Sequence, residues 1–179
     1  LLLRQQLPNL ISIIRVVLTP FAVRAILAGQ DSVAFWLCWL AGLTDFLDGG
    51  LARRLGVASK LGAIIDPLAD KFMLDVLSLT FWLVRGEAAG LAVVARDVLI
   101  VGGALLIRAL RGRTDFPPSW LGKWSTAIQM AWVLILLEPW ATPARPWATM
   151  VMLAGTVISG LDYIRLGVNM MRAGRPTSN

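Results

Sequence analysis

Six apolar runs divide this chain, and their length limits its fold more than any other feature. They cover roughly residues 8–28, 32–53, 60–84, 90–110, 122–137 and 146–167. Each is close to the ~20 residues that cross a hydrocarbon core as a helix. In lipid an unpaired backbone amide is costly, so a spanning segment must satisfy its own hydrogen bonds, and the runs are expected to be helices. Composition agrees: of 179 residues, 57% are hydrophobic and 16% charged, whereas a globular domain has about 45–50% apolar and about 25% charged residues. The expected fold is all-α, a polytopic membrane protein of six transmembrane helices forming a single integral-membrane catalytic domain over residues 1–179. The turns "AGQD" and "RGEAAG" and the Pro-bearing "EPWATPARP" punctuate the runs.

The net charge of +6 would suggest nucleic acid in a soluble protein. Here the basic residues gather at the ends of apolar runs, which suits membrane orientation and anionic lipid headgroups, and no nucleic-acid partner is expected. Arg53, Arg54 and Lys60 lie between runs two and three, and Arg108, Arg111, Arg113 and Lys123 between four and five. Arg4 precedes the first run, while Arg165, Arg172 and Arg175 end or follow the last. The opposite loops hold only Arg85 and Arg145. The positive-inside rule then places both termini and the second and fourth loops in the cytoplasm. No cleavable signal peptide is expected, because Arg15 and Arg24 interrupt the first run and no small-residue cleavage site follows. There is no histidine, so acid–base work falls to Asp, Glu, Lys, Tyr or water, and the single Cys38 reads as a small buried hydrophobe.

Within "LTDFLDGGLARRLGVASKLGAIIDPLADK" stand Asp45, Asp48, Asp66 and Asp70. Spacings of three and four put each pair on one helix face. The short link between runs two and three makes those helices antiparallel neighbours, so all four carboxylates can converge near one membrane face. Four carboxylates in a low-dielectric site repel unless cations neutralise them. Two hard divalent ions, Mg²⁺ or Mn²⁺, suit oxygen ligands and phosphoryl displacement. Gly49, Gly50, Ala52, Gly62 and Ala63 open a groove, although small residues also serve plain helix packing. Arg53 offers a bidentate contact to phosphate. A cation transporter is the rival class. Such sites lie nearer the midplane on broken helices, and a cation path would not favour the fixed charge of Arg53.

The stretch resembles the signature of the CDP-alcohol phosphatidyltransferases, D-x2-D-G-x2-A-R-x8-G-x3-D-x3-D. Asp45, Asp48, Gly49, Ala52, Arg53, Gly62, Asp66 and Asp70 fill its eight fixed positions across 26 residues. The resemblance implies an enzyme in which an acceptor hydroxyl attacks the lipid-side phosphate of CDP-diacylglycerol and CMP leaves. It implies Asp45, Asp48, Asp66 and Asp70 as ligands of two divalent cations, with Asp70 also the general base. Gly49, Ala52 and Gly62 would line the cytidine pocket, and Arg53 would lie near the diphosphate. Members are usually homodimers, and a bacterial inner membrane with the site facing the cytoplasm is the expected setting.

The acceptor half is legible in shorter similarities. "LPNLISIIRVVLTP", "DPLADK" and Arg96-Asp97 are similar to the branch holding the phosphatidylglycerophosphate synthases and the CMP-forming cardiolipin synthases. "LAGLTDFLDG", "RDVLIVGG" and "LGKWSTAIQM" look closer to the latter, so phosphatidylglycerol is the expected acceptor, with glycerol 3-phosphate the alternative. Both carry phosphate, and Lys71, Arg96, Arg108 and Lys123 are the candidate acceptor-binding cations. Asp75 lies off the Asp66/Asp70 face and is left outside the site.

Overall fold

A computed structural model describes residues 2–55, 62–111 and 119–172, and the side chains of residues 13–43, 71–110 and 119–172. It contains α1 (Leu2–Leu27), α2 (Asp31–Leu55), α3 (Gly62–Arg85), α4 (Ala89–Arg111), α5 (Trp120–Leu137) and α6 (Arg145–Arg172), with a 3₁₀ turn at Pro139–Ala144. All regular structure among the described residues is helical, as the apolar runs require. Among the described residues three stretches are long and apolar enough to cross a membrane: Ala89–Leu110, Trp120–Leu137 and Pro139–Arg172, the last including the 3₁₀ turn.

Two boundaries differ from the sequence expectation. The first apolar run begins near Pro8, yet α1 is continuous from Leu2. Proline lacks only its own N–H, so within the first two turns the helix forfeits one bond, to the carbonyl of Arg4. At the other end α6 runs on to Arg172, because nothing in "LGVNMMR" breaks it. Pro146 falls in the first turn of α6, where its missing N–H costs nothing.

Both short interhelical turns depend on glycine. Gly29 and Gly86 have φ of +70°, a conformation that L side chains rarely adopt. At Gly29 the N–H groups of Gly29 and Gln30 reach back to the carbonyls of Ile26 and Ala25 at 3.1 and 2.8 Å, a Schellman closure of α1. At Gly86 one N–H bonds the Trp82 carbonyl at 3.0 Å, the simpler left-handed cap.

The helices form a closed ring: α1 packs on α2 and α3, α3 on α4, α4 on α6, α6 on α5, and α5 back on α2, with α3 also touching α5. The core inside the ring holds Ile26, Cys38, Leu77, Phe81, Trp132 and Met152. Trp132 stands edge-on to Phe81 at 6.1 Å and donates its indole N–H to Thr149 at 2.9 Å, so its one polar atom is satisfied on burial. α4 approaches α3 so closely that a Cβ at Gly90 would run into the Ser78 carbonyl. At the end opposite the signature, Arg85 of α3 pairs with Asp31 of α2 and donates to the Leu136 carbonyl of α5 at 3.0 Å. That ion pair links the far ends of α2 and α3, but among the described residues the two helices are not close packing partners: α2 packs on α1 and α5, and α3 on α1, α4 and α5, so the expected neighbour pairing of α2 and α3 is not seen there.

Candidate active site

The signature falls on two helix ends that border the same connecting segment. Asp45, Asp48, Gly49, Ala52 and Arg53 belong to the last turns of α2, and Gly62, Asp66 and Asp70 to the first turns of α3. At 1.5 Å per residue, Asp45 and Asp48 stand about 15 and 10 Å from the end of α2, and Asp66 and Asp70 about 6 and 12 Å into α3. Within each helix, spacings of three and four keep each pair on one face. The side chains of these eight residues lie outside the described ones, as do Lys60, Arg113 and Arg175. As a donor set, four carboxylates on two helix ends fit a pair of hard divalent cations.

One turn further into α3 a second polar cluster begins. Lys71 Nζ lies 3.4 Å from Asp97 Oδ1, and the Lys71 side chain keeps 26% of its exposure. The same Asp97 oxygen accepts from Arg96 Nη1 at 2.6 Å. Arg96, buried in α4, turns Nη2 away to Ser159 Oγ of α6 at 2.9 Å and the Gly122 carbonyl of α5 at 3.3 Å. Its guanidinium also lies over the Tyr163 ring, 5.9 Å from the centroid. One fork thus braces three helices, using the planar donor geometry that lysine lacks.

Local structure of α5 explains why the carbonyl of Gly122 is in reach. Ser119 caps the helix, accepting from the Gly122 N–H at 3.4 Å, and donates to Asp162 of α6. A Cβ on Gly122 would come within 2.6 Å of the Tyr163 hydroxyl, so only glycine admits this contact between α5 and α6. Deeper along the same seam, Gln129 donates to Thr156 at 3.0 Å.

Two buried polar atoms of the cluster make no hydrogen bond among the described residues: Arg96 Nε and Asp75 Oδ1. Asp75 sits one turn beyond Lys71, within electrostatic reach of Asp97, Lys71 and Arg96. Sequence reasoning left it out because it was measured against the Asp66/Asp70 face. The Lys71–Asp75 spacing of four was the signal that would have placed it. Ser119, Gly122, Ser159, Asp162 and Tyr163 were also missed, since only tertiary contacts bring them to Arg96. Of the four candidate acceptor cations, the structure gathers Lys71 and Arg96 into one cluster. Arg108 and Lys123 are exposed and make no ion pair among the described residues. Arg15, which interrupts the first apolar run, is buried in α1.

Sequence comparison names the class to which this helical bundle belongs. The family model for CDP-alcohol phosphatidyltransferase matches residues 5–160, and the chain belongs to that family. It is 30% identical over 97% of its length to a probable phosphatidylglycerophosphate synthase of Mycobacterium tuberculosis, covering 87% of that protein. It is 33% identical to a CDP-diacylglycerol–glycerol-3-phosphate 3-phosphatidyltransferase of Haemophilus influenzae, over 69% of this chain and 71% of that one. A probable CMP-forming cardiolipin synthase of Drosophila melanogaster is 33% identical over 70% of this chain and 44% of its own length. The chain is thus an enzyme of phospholipid synthesis, a phosphatidyltransferase.

Proposed function

We propose that the chain transfers a phosphatidyl group from CDP-diacylglycerol to the hydroxyl of glycerol 3-phosphate, releasing CMP. The sequence motifs had favoured phosphatidylglycerol as acceptor. The observation that moves the balance is that the glycerol-3-phosphate enzymes are matched over most of both chains, whereas the cardiolipin synthase is matched over under half of its own length.

In this reading all six helices cross the membrane, probed from the basic side, with the signature facing the cytoplasm of a bacterial inner membrane in a homodimer. Asp45, Asp48, Asp66 and Asp70 would hold two divalent cations, Mg²⁺ or Mn²⁺. When bound, these would neutralise the diphosphate and clamp the attacking and leaving oxygens. Gly49, Ala52 and Gly62 leave room for the cytidine, and Arg53 contacts the diphosphate. Asp70 takes the proton of the acceptor hydroxyl as it attacks the lipid-side phosphorus, and the bond to CMP breaks. Lys71, leashed by Asp97 yet partly exposed, receives the acceptor phosphate beside Asp70. Arg96, with most of its donors committed inside the bundle, positions Lys71 through Asp97, while Arg108 and Lys123 supply positive charge at the entrance.

The test is purified protein with CDP-diacylglycerol and Mn²⁺ or Mg²⁺, offered glycerol 3-phosphate or phosphatidylglycerol in turn. CMP release with glycerol 3-phosphate alone is expected. Release with phosphatidylglycerol alone would return the assignment to cardiolipin synthesis. Asp70→Asn should lower turnover by about 10²–10⁴-fold, the usual contribution of a positioned base, with an unchanged melting temperature. Near-normal turnover would remove Asp70 from that role.

A further inference from the structure

A cavity of about 520 Å³ runs between α4 and α6 on the half of the bundle nearest the basic end. Leu99, Gly103 and Ile107 form one wall, and Tyr163, Gly167 and Arg172 stand on the other. Apart from Tyr163 at the inner end and Arg172 at the outer end, the lining is apolar. A Cβ at Gly103 would meet no atom within 4 Å, so that glycine leaves open space.

Shape and charge decide what fits. From Leu99 to Ile107, and from Tyr163 to Arg172, the walls rise about 12–14 Å at 1.5 Å per residue. One leaflet of the hydrocarbon core is about 15 Å deep, so the groove has the length of a single acyl chain in its leaflet. Among the described residues the only cation of the lining is Arg172, at the mouth where a headgroup would lie. Arg108, exposed and one turn beyond Ala104 on the same side of α4, adds positive charge at that level. A thin apolar occupant with an anionic head satisfies both ends.

We propose that this groove seats one acyl chain of an anionic phospholipid from the surrounding leaflet, with the headgroup phosphate held at Arg172. The chain's inner end rests on Tyr163, the residue whose ring lies under Arg96 and whose hydroxyl abuts Gly122. Occupancy therefore supports the packing of α4, α5 and α6 around the polar cluster. The proposal does not depend on which acceptor the enzyme uses.

The experiment is photolabelling in vesicles of phosphatidylcholine doped with a diazirine-acyl phosphatidylglycerol or a diazirine-acyl phosphatidylcholine, without CDP-diacylglycerol, followed by peptide mapping. Phosphatidylglycerol adducts should concentrate on residues 99–107 and 163–172. Gly103→Leu should cut labelling there severalfold and leave other lipid-facing segments unchanged. Arg172→Gln should reduce the preference for phosphatidylglycerol over phosphatidylcholine by about fivefold, the effect of one basic residue at a membrane surface. Uniform labelling along the chain, or equal labelling by both lipids in the unmodified protein, overturns the proposal. So does a disulfide between two copies formed through Gly103→Cys, which would show a second protomer on this face. If Gly103→Leu does not fold, the two-lipid map of the unmodified protein still decides.

Discussion

Arg96 has its guanidinium buried where a membrane would surround it, and the cost of such a group is met only when its donors are used. Asp97 supplies the counter-charge at 2.6 Å, and the partners on α5 and α6 lie 26 and 63 residues away in sequence. Asp97→Ala leaves that charge uncompensated and should destabilise the protein by about 3–5 kcal/mol, read as a lowered melting temperature in detergent. Arg96→Lys keeps the charge but loses the fork. It should melt below the unmodified protein and raise KM for the phosphate-bearing acceptor more than KM for CDP-diacylglycerol. An unchanged acceptor KM would detach Arg96 from Lys71. At this scale the sequence made the signature aspartates legible, because spacings of three and four are themselves statements about a helix face. It also singled out Lys71 and Arg96. The Lys71–Asp75 spacing of four puts Asp75 on the face of Lys71, but that this face meets Asp97 and Arg96 depends on which side of α3 meets α4.

Among the elements, α3 and α4 illustrate what close approach demands. Ser78 presents its carbonyl to Gly90 with no room for a Cβ, whereas Gly102, twelve residues along α4, has nothing within 4 Å. Small residues at such crossings let membrane helices pack by backbone contact. Gly90→Ala should therefore force α3 and α4 apart and cost about 1–3 kcal/mol, the usual penalty of overpacking. Gly102→Ala should be neutral or slightly stabilising through helix propensity. Equal melting temperatures for the two variants would contradict the crossing. Apolar run length predicted all six helices, and all of their ends but two within a couple of residues. The run pattern missed the start of α1 and the end of α6, where polar residues continue a helix that hydropathy alone would stop.

For the molecule as a whole, orientation follows from charge and the bundle from packing. In the proposed six-crossing arrangement the basic loops and both chain ends would share one side, and the 3₁₀ turn Pro139–Ala144 would lie on the other. Thr142→Cys, exposed on that turn, should react with a membrane-impermeant maleimide added to intact cells, whereas a cysteine at Asp115, in the segment between α4 and α5, should react only after permeabilisation. The reverse pattern would invert the orientation and put the signature on the wrong side for a cytoplasmic nucleotide. The amino-acid sequence by itself determined that the chain is helical, that it belongs in a membrane and that it carries a paired-aspartate signature, because each of these is set by local spacing and transfer of side chains from water. Only the tertiary structure decided that α4 lies against α6, that α5 closes the ring on α2, and that Arg96 spends its donors on Gly122 and Ser159. Those choices depend on which helix faces fit one another at close range, and a run of hydrophobic residues in lipid carries no periodic mark of its partner.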